Sequence, residues 1–269
     1  MTSLAGIHFD ISLAGRQVNR CPECIVTTSR RAVLTKGRIT IPDPTGEVQR
    51  GLAHGQGLSV RFGYRNQEPA EFVGTVSRWH PSPTARDQVV VHAMGPEKPL
   101  FFTRMTESWF EEPAPILARR ILAASGLSVG RVDLPEEVIP RMTVSGWPLR
   151  NAVMALMKTL EDGFAHKLSH YSLRMESGTL FLDGKAVDGL QPIIATGAGI
   201  IRNNTGKGIQ NGIETYLIPY MRAGMQFTLD DTRKGVEGVF MADVVIHAIR
   251  PKAVRTFIYY GGTYERFQC

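Results

Sequence analysis

Both ends of this chain are written with period two. Ile7-His8-Phe9-Asp10-Ile11-Ser12-Leu13 alternates apolar and polar side chains, and Leu58-Ser59-Val60-Arg61-Phe62-Gly63-Tyr64 does so again. Successive side chains of a strand point to opposite faces, so such runs fold as strands with one face buried. Cys24 to Leu34 is rich in β-branched residues, and Glu71–Trp79 and Gln88–Ala93 add further strands. Pro42, Pro44 and Gly46 punctuate a loop. About six strands joined by short turns predict a barrel or sandwich over the first hundred residues. The last eighty return to the same pattern at Gly224–Leu229, Val239–Ile249 and Thr256–Tyr260. Between them, Arg202–Gly212 carries Asn203, Asn204, Gly206 and Gly208 and reads as a flexible loop.

The centre changes period. Pro113 opens a stretch with Ile116, Leu117, Ile121 and Leu122 at helical spacing, closed by Ser125-Gly126. Leu149, Val153, Leu156, Met157 and Leu160 form one apolar helical face. Pro148 suits its first turn, and Gly163 suits its stop. Ser145-Gly146-Trp147 reads as the lead into that helix. Tyr171–Met175 and Thr179–Leu182 then flank a Glu176-Ser177-Gly178 turn. The expected fold is mainly β with an α+β insertion: a first β-barrel over 1–105, the insertion over 106–185 and a second β-barrel over 186–269.

The two β regions repeat a pattern. Gly57-Leu58-Ser59-Val60-Arg61-Phe62 matches Gly224-Met225-Gln226-Phe227-Thr228-Leu229. Each is followed by a polar turn and a strand, ending at Trp79-His80-Pro81 and at Ile249-Arg250-Pro251. That repetition predicts two related barrels.

Little points to chemistry. With 43% hydrophobic and 21% charged residues, the chain can build packed cores, and it has no apolar run of membrane-spanning length. The first ten residues lack the pattern of a secretory signal. The net charge is +6, but the basic residues are dispersed, so a solvated basic surface is expected and no specific nucleic-acid readout. Gly197-Ala198-Gly199 lacks the third glycine of a dinucleotide loop, because Arg202 stands there. Thr205-Gly206-Lys207-Gly208 lacks the hydroxyl residue that follows the lysine of a phosphate loop. His166 and His170 are four apart but follow a helix stop, with no glutamate placed as in a helical zinc-protease motif. No cofactor and no catalytic set are expected.

Cys21, Cys24 and Cys269 are the only cysteines. Cys21-Pro22-Glu23-Cys24 is half of a zinc pattern without a second half. Free thiols, disulfides between chains and a shared metal site all remain open. With no complete ligand set in one chain, cross-linking between subunits through Cys21, Cys24 and Cys269 is favoured over zinc.

The order barrel, helical insertion, barrel resembles the central baseplate hub proteins of phage tails. Late control D proteins and the N-terminal part of type VI valine-glycine repeat proteins belong to the same group. Three stretches carry the resemblance. Gly57–Tyr64 leading into Phe72-Val73-Gly74-Thr75-Val76 is similar to paired strands of the first barrel. Ile116–Gly126, Ser145–Leu149 and Gly178–Leu182 resemble the inserted domain. Leu217-Ile218-Pro219-Tyr220-Met221-Arg222-Ala223-Gly224-Met225 with Val244-Val245-Ile246-His247 is similar to the second barrel. The resemblance implies a non-enzymatic virion protein, assembled in the host cytoplasm into the tail baseplate. It would be a homotrimer adapting a sixfold tail tube to a threefold spike, touching the tube protein, the spike protein and baseplate wedge or ring proteins, with no membrane partner. A hexameric distal tail adaptor with one barrel is the nearer alternative; a tail-tip cell-wall hydrolase, needing paired carboxylates, is the remote one.

Overall fold

A computed structural model describes residues 6–30, 34–176, 178–187, 189–205 and 211–261. Two compact units emerge. Of the described residues, the first gathers those within 6–29, 34–96 and 186–261, and the second Arg30 and those within 97–185.

In chain order the first unit begins with β1 (Ile7–Leu13), β2 (Arg16–Gln17), β3 (Glu23–Ser29), β4 (Lys36–Pro42), α1 (Glu47–Gly51), β5 (Gly57–Tyr64), β6 (Ala70–Pro81) and β7 (Gln88–Met94). The second unit follows with α2 (Pro99–Phe102), β8 (Arg104–Pro113), α3 (Ala114–Ala123), β9 (Ser128–Val132), β10 (Val138–Pro148), α4 (Leu149–Phe164), β11 (Ser172–Glu176) and β12 (Thr179–Asp183). The chain then returns to the first unit with β13 (Ile193–Ala195), β14 (Ile200–Asn204), β15 (Asn211–Tyr216), β16 (Gln226–Asp231), β17 (Val236–Arg250) and β18 (Ala253–Tyr260). The fold is thus mainly β, with the long helices confined to the second unit.

The first unit is one 13-stranded sheet. Its first stretch runs in space β3-β4-β7-β6-β5-β1, and its second β14-β15-β18-β17-β16-β13. Numbered by chain order within each stretch, both read 2-3-6-5-4-1. All the pairings agree in sense except the last: β1 lies antiparallel to β5, whereas β13 lies parallel to β16. The two long strands, β6 and β17, are each bulged, after Val76 and after Ala242 respectively. A bulge bends a strand and lets its two halves face different neighbours. Gly55 N–H donates to Val76 O and Val76 N–H to Gln56 O; in the other stretch Gly224 N–H donates to Ala242 O and Ala242 N–H to Met225 O. Gly55 and Gly224 share a left-handed backbone, φ +84° and +89°, that disfavours any residue with a Cβ. The structural equivalent of Gly224 is therefore Gly55, two residues before the Gly57 that the sequence pattern matched to it.

Each stretch buries one face of its strands. Ile11, Cys24, Ile39, Val60, Phe72 and Val91 fill the first core. Ile213, Phe227, Leu229, Val245, Ile258 and Tyr260 fill the second. β4 is a strand that no period-two run in the sequence announces. Its Gly37 packs so closely that a Cβ there would lie 2.4 Å from the Phe72 ring. The loop expected at Pro42–Gly46 instead leads into α1, whose amides at Val48 and Gln49 donate to the Asp43 carboxylate. The expected flexible loop over 202–212 is in part ordered ladder, since β14 pairs with β15; residues 206–210 lie outside the described residues.

In the second unit, α4 buries Leu149, Val153, Leu156, Met157 and Leu160, the face its spacing predicts. Its end differs from expectation: the helix passes Gly163 and closes at Ala165, which takes the left-handed conformation, φ 58°. Ser145-Gly146-Trp147 is strand and bulge, with Gly146 at φ +64°, and β10 hands directly to α4. Ile116, assigned to the apolar face of α3, is exposed, whereas Leu117, Ile121 and Leu122 are fully buried. β11 and β12 form the expected hairpin, and β9 pairs parallel to β12. Asp183, at the end of β12, is fully buried and accepts from Arg131 at 2.6 Å and Arg174 at 2.7 Å. Burial alone would raise its carboxyl pKa, but the bonds from Arg174 and Arg131 outweigh that and hold it below the usual range.

Candidate assembly surface

An unpaired strand edge presents donors and acceptors in register for another strand, so the edges of the first unit are its candidate sites. One such edge is already used. Beyond the stretch of β17 covered by β16, residues Val244–Ile249 pair antiparallel with Cys24–Ser29 of β3. That single ladder stitches the two six-strand stretches into one sheet.

Side chains brace the joint. Glu23 accepts from Arg250 at 2.7 Å and also pairs with Arg38, so strands β3, β4 and β17 share one carboxylate. Thr28 Oγ1 accepts from Ala223 N–H at 3.0 Å, and Tyr64 donates to Leu217 O at 3.0 Å. The Phe62 and His247 rings lie 5.0 Å apart. His247 is buried and lies between the Met221 carbonyl, 3.0 Å from Nε2, and Thr256 Oγ1, 3.1 Å from Nδ1. A carbonyl only accepts, so Nε2 carries the proton and Nδ1 receives the Thr256 hydroxyl. Thr256 Oγ1 in turn accepts from Ile218 N–H. This chain ties the segment 217–225 to β17 and β18. Burial lowers the His247 pKa to about 4, and Arg222 adds to the effect.

The equivalent places, the outer side of β14 and the later half of β6, carry no such strand among the described residues. β5 covers β6 as far as Thr75, and β7 lies along the opposite flank as far as Pro81. Among the described residues no strand pairs with the β5-side flank of Ser77–Pro81. β14, the counterpart of β3, has β15 on one side and no described strand on the other. His80 and His92 stand on this part of the sheet with their Nε2 atoms 3.3 Å apart. Burial first, then the charges of Arg78, His80, Arg38 and Lys36, lower the His92 pKa to about 4.

The cysteines fall out differently from one another. Cys24 is fully buried in the first core, and its thiol is pushed well up by burial. Cys21 is half-buried, donates toward Glu23 O, and is raised to about 11, again chiefly by burial. Both thiols stay protonated at neutral pH, and the thiolate is the reactive form. Cys269 lies outside the described residues. Among the described residues no three His, Cys, Asp or Glu side chains gather as a metal site. A cavity of about 620 Å³ beside α1 has Leu13, Val18, Val48 and Leu52 in its wall; Glu47 is the one carboxylate lining it. Paired acids for glycoside cleavage are not assembled there.

In the second unit, β8 and β10 carry several exposed apolar side chains. Phe110 is 59% exposed with the Arg141 guanidinium 5.4 Å from its ring, and Val138 and Trp147 are also open to solvent. No helix among the described residues is long and apolar enough to cross a membrane.

No family model matches the sequence, and no curated protein matches it either. Solved structures do match. A 43 kDa tail protein of prophage MuSo2 from Shewanella oneidensis aligns with TM-score 0.66 at 11% identity, over 95% of this chain and 96% of that one. A tail protein from Neisseria meningitidis MC58 aligns with TM-score 0.68 at 8% identity, again over 95% and 96%. An E. coli component of the type VI secretion system, described as structurally similar to T4 bacteriophage tail proteins gp27 and gp5, aligns with TM-score 0.65 at 9% identity, over 96% of this chain and 78% of that one. Across nearly its whole length, then, this chain has the fold of phage tail proteins.

Proposed function

We propose that the chain is a structural hub subunit of a phage-type tail baseplate, a homotrimer that adapts a sixfold tail tube to a threefold central spike. One observation carries the reading: the same six-strand topology occurs twice in a single chain. Each stretch would be one tube-like barrel, so three chains supply six similar modules toward a sixfold tube while keeping threefold symmetry toward a spike. The tail-protein fold of its neighbours favours this mechanical role over catalysis. Its contacts would be the tube protein, the spike protein and baseplate wedge or ring proteins, and its place the virion tail. Light scattering on the purified chain tests the reading. Three copies per particle are expected; six would favour a distal tail adaptor instead.

A further inference from the structure

The first stretch carries a pair of side chains that the second lacks. Registered on the bulges after Val76 and Ala242, His80 and His92 correspond to Ile246 and Tyr259. We propose that His80 and His92 form a two-imidazole site for a divalent transition-metal ion of the zinc or copper kind, one ion per chain, with water completing its coordination. The proposal goes beyond the assembly reading and does not depend on copy number.

Geometry carries it. β6 and β7 pair antiparallel with Arg78 opposite His92 and His80 opposite Val90, so the two histidines are diagonal neighbours on one face of the sheet. Their rings meet through their Nε2 edges: the centroids lie 5.4 Å apart but the Nε2 atoms 3.3 Å. That gap is long for a hydrogen bond, which from an N–H to oxygen spans about 2.7–3.2 Å. It suits a chelate, because two nitrogens each about 2.0–2.1 Å from a tetrahedral zinc lie about 3.3–3.4 Å apart. His80 is also oriented as a ligand. Its Nδ1 is 2.8 Å from the Pro81 carbonyl, which only accepts, so Nδ1 holds the proton and Nε2 presents a lone pair. A ligating histidine commonly gives its other N–H to such a carbonyl, which fixes the ring. His92 offers its own Nε2 once its proton sits on Nδ1; that exchange runs through solvent, the ring stays neutral and no net proton is lost. His80 is exposed, so an ion can reach the pair. At Ile246, its counterpart, β3 covers the flank with Thr27.

The surroundings select the kind of ion. Arg78, Arg38 and Lys36 bring positive charge toward His92. Arg38 is paired with Glu23, and Arg78 and Lys36 are exposed, where salt screens them. Among the described residues no third His, Cys, Asp or Glu joins the pair. Calcium and magnesium need several oxygen ligands and gain nothing here, whereas imidazole suits zinc and copper.

Equilibrium dialysis of the full chain, stripped of metal by a chelator and then held against Zn2+ alone, tests the site. Wild type should take up one more zinc per chain than His80→Ala, than His92→Gln and than the double variant. Each substitution should weaken that zinc about tenfold or more. The double variant should lose no more than either single one, because both rings hold the same ion. Zinc at His8 with Asp10 or at His166 with Glu137 would survive all three substitutions. Far-UV circular dichroism checks each fold, and His80→Ala, at the exposed end of β6, decides the matter if His92→Gln alters it. Equal uptake by wild type and the variants would overturn the proposal. So would losses that add in the double variant, since each ring would then bind on its own.

Discussion

Lowering the pH should loosen the first unit through His247, and the size of the effect follows from its surroundings. The ring is fully enclosed, with Met221 O fixing the proton on Nε2 and Thr256 facing Nδ1. Its pKa falls from an ordinary 6.5 to about 4 in the folded chain because burial disfavours the cation and Arg222 repels it. The sign is that of a depressed group. Above pH 6.5 both folded and unfolded chains hold a neutral ring and nothing is lost. Below it the unfolded chain takes up a proton that the folded chain refuses, so stability falls until the pH reaches about 4. At ~1.4 kcal/mol per pH unit, the whole window is worth about 3 kcal/mol. His92 titrates in the same direction, with its pKa also lowered to about 4, so the wild-type slope contains two histidines. Urea unfolding of the wild type and of His247→Asn at several pH values between 7.5 and 4.5 separates them. The variant should be less stable at pH 7.5, yet its stability should fall less steeply with acid, by close to one proton's worth. Parallel slopes would refute the argument. So would an NMR titration of the wild-type His247 ring with a midpoint near 6.5.

Three other outcomes are expected. Leu156→Ala, which empties part of the fully buried face of α4, should cost about 2–5 kcal/mol in chemical unfolding; an unchanged midpoint would mean that the face is not core. Asp183→Asn leaves Arg174 and Arg131 without their shared buried carboxylate and should cost about 3–5 kcal/mol, read as a lowered melting temperature. We propose that any covalent link between subunits runs through Cys269 or Cys21 and not through Cys24, whose thiol is sealed in the core; non-reducing electrophoresis of Cys24→Ala should then show the same bands as the wild type, and a link lost in that variant would reverse the assignment.

The sequence reveals a strand or helix most clearly where one face is buried and the other is wet. β1, β5 and α4 have that asymmetry, and their spacing predicts them closely. β8 lacks it: Trp109 is its one fully buried side chain, and Thr106, Glu107, Ser108 and Phe110 are all exposed, so no alternation marks the strand. β4 hides for another reason, since Gly37 fills an inward position where only a missing side chain fits against Phe72. The repeat was visible but slipped by two residues. A period-two pattern looks the same after such a shift, and only the left-handed glycines and their hydrogen bonds fix the register at Gly55 and Gly224. The assembly surface was not legible. Strand edges are backbone, and which edges stay open depends on pairings far apart in sequence, such as β3 with β17 across some two hundred residues.

The place where the two stretches differ bears on how such a chain could be built. Six strands agree in order and five in sense; β13 alone runs against its counterpart β1. β1 pairs along its full seven residues, from Ile7 opposite Tyr64 to Leu13 opposite Leu58, whereas β13 contributes three residues beside β16. Within the sheet this first strand sits at the outer end of each stretch; in the second stretch that end is two strands from β17. The strands at the joint, β3 and β17, and their counterparts β14 and β6, keep their order and sense. The strands at the joint are held in register by the ladders behind them, because a slip of one residue in β4 or β7 would turn that strand's own buried side chains to solvent.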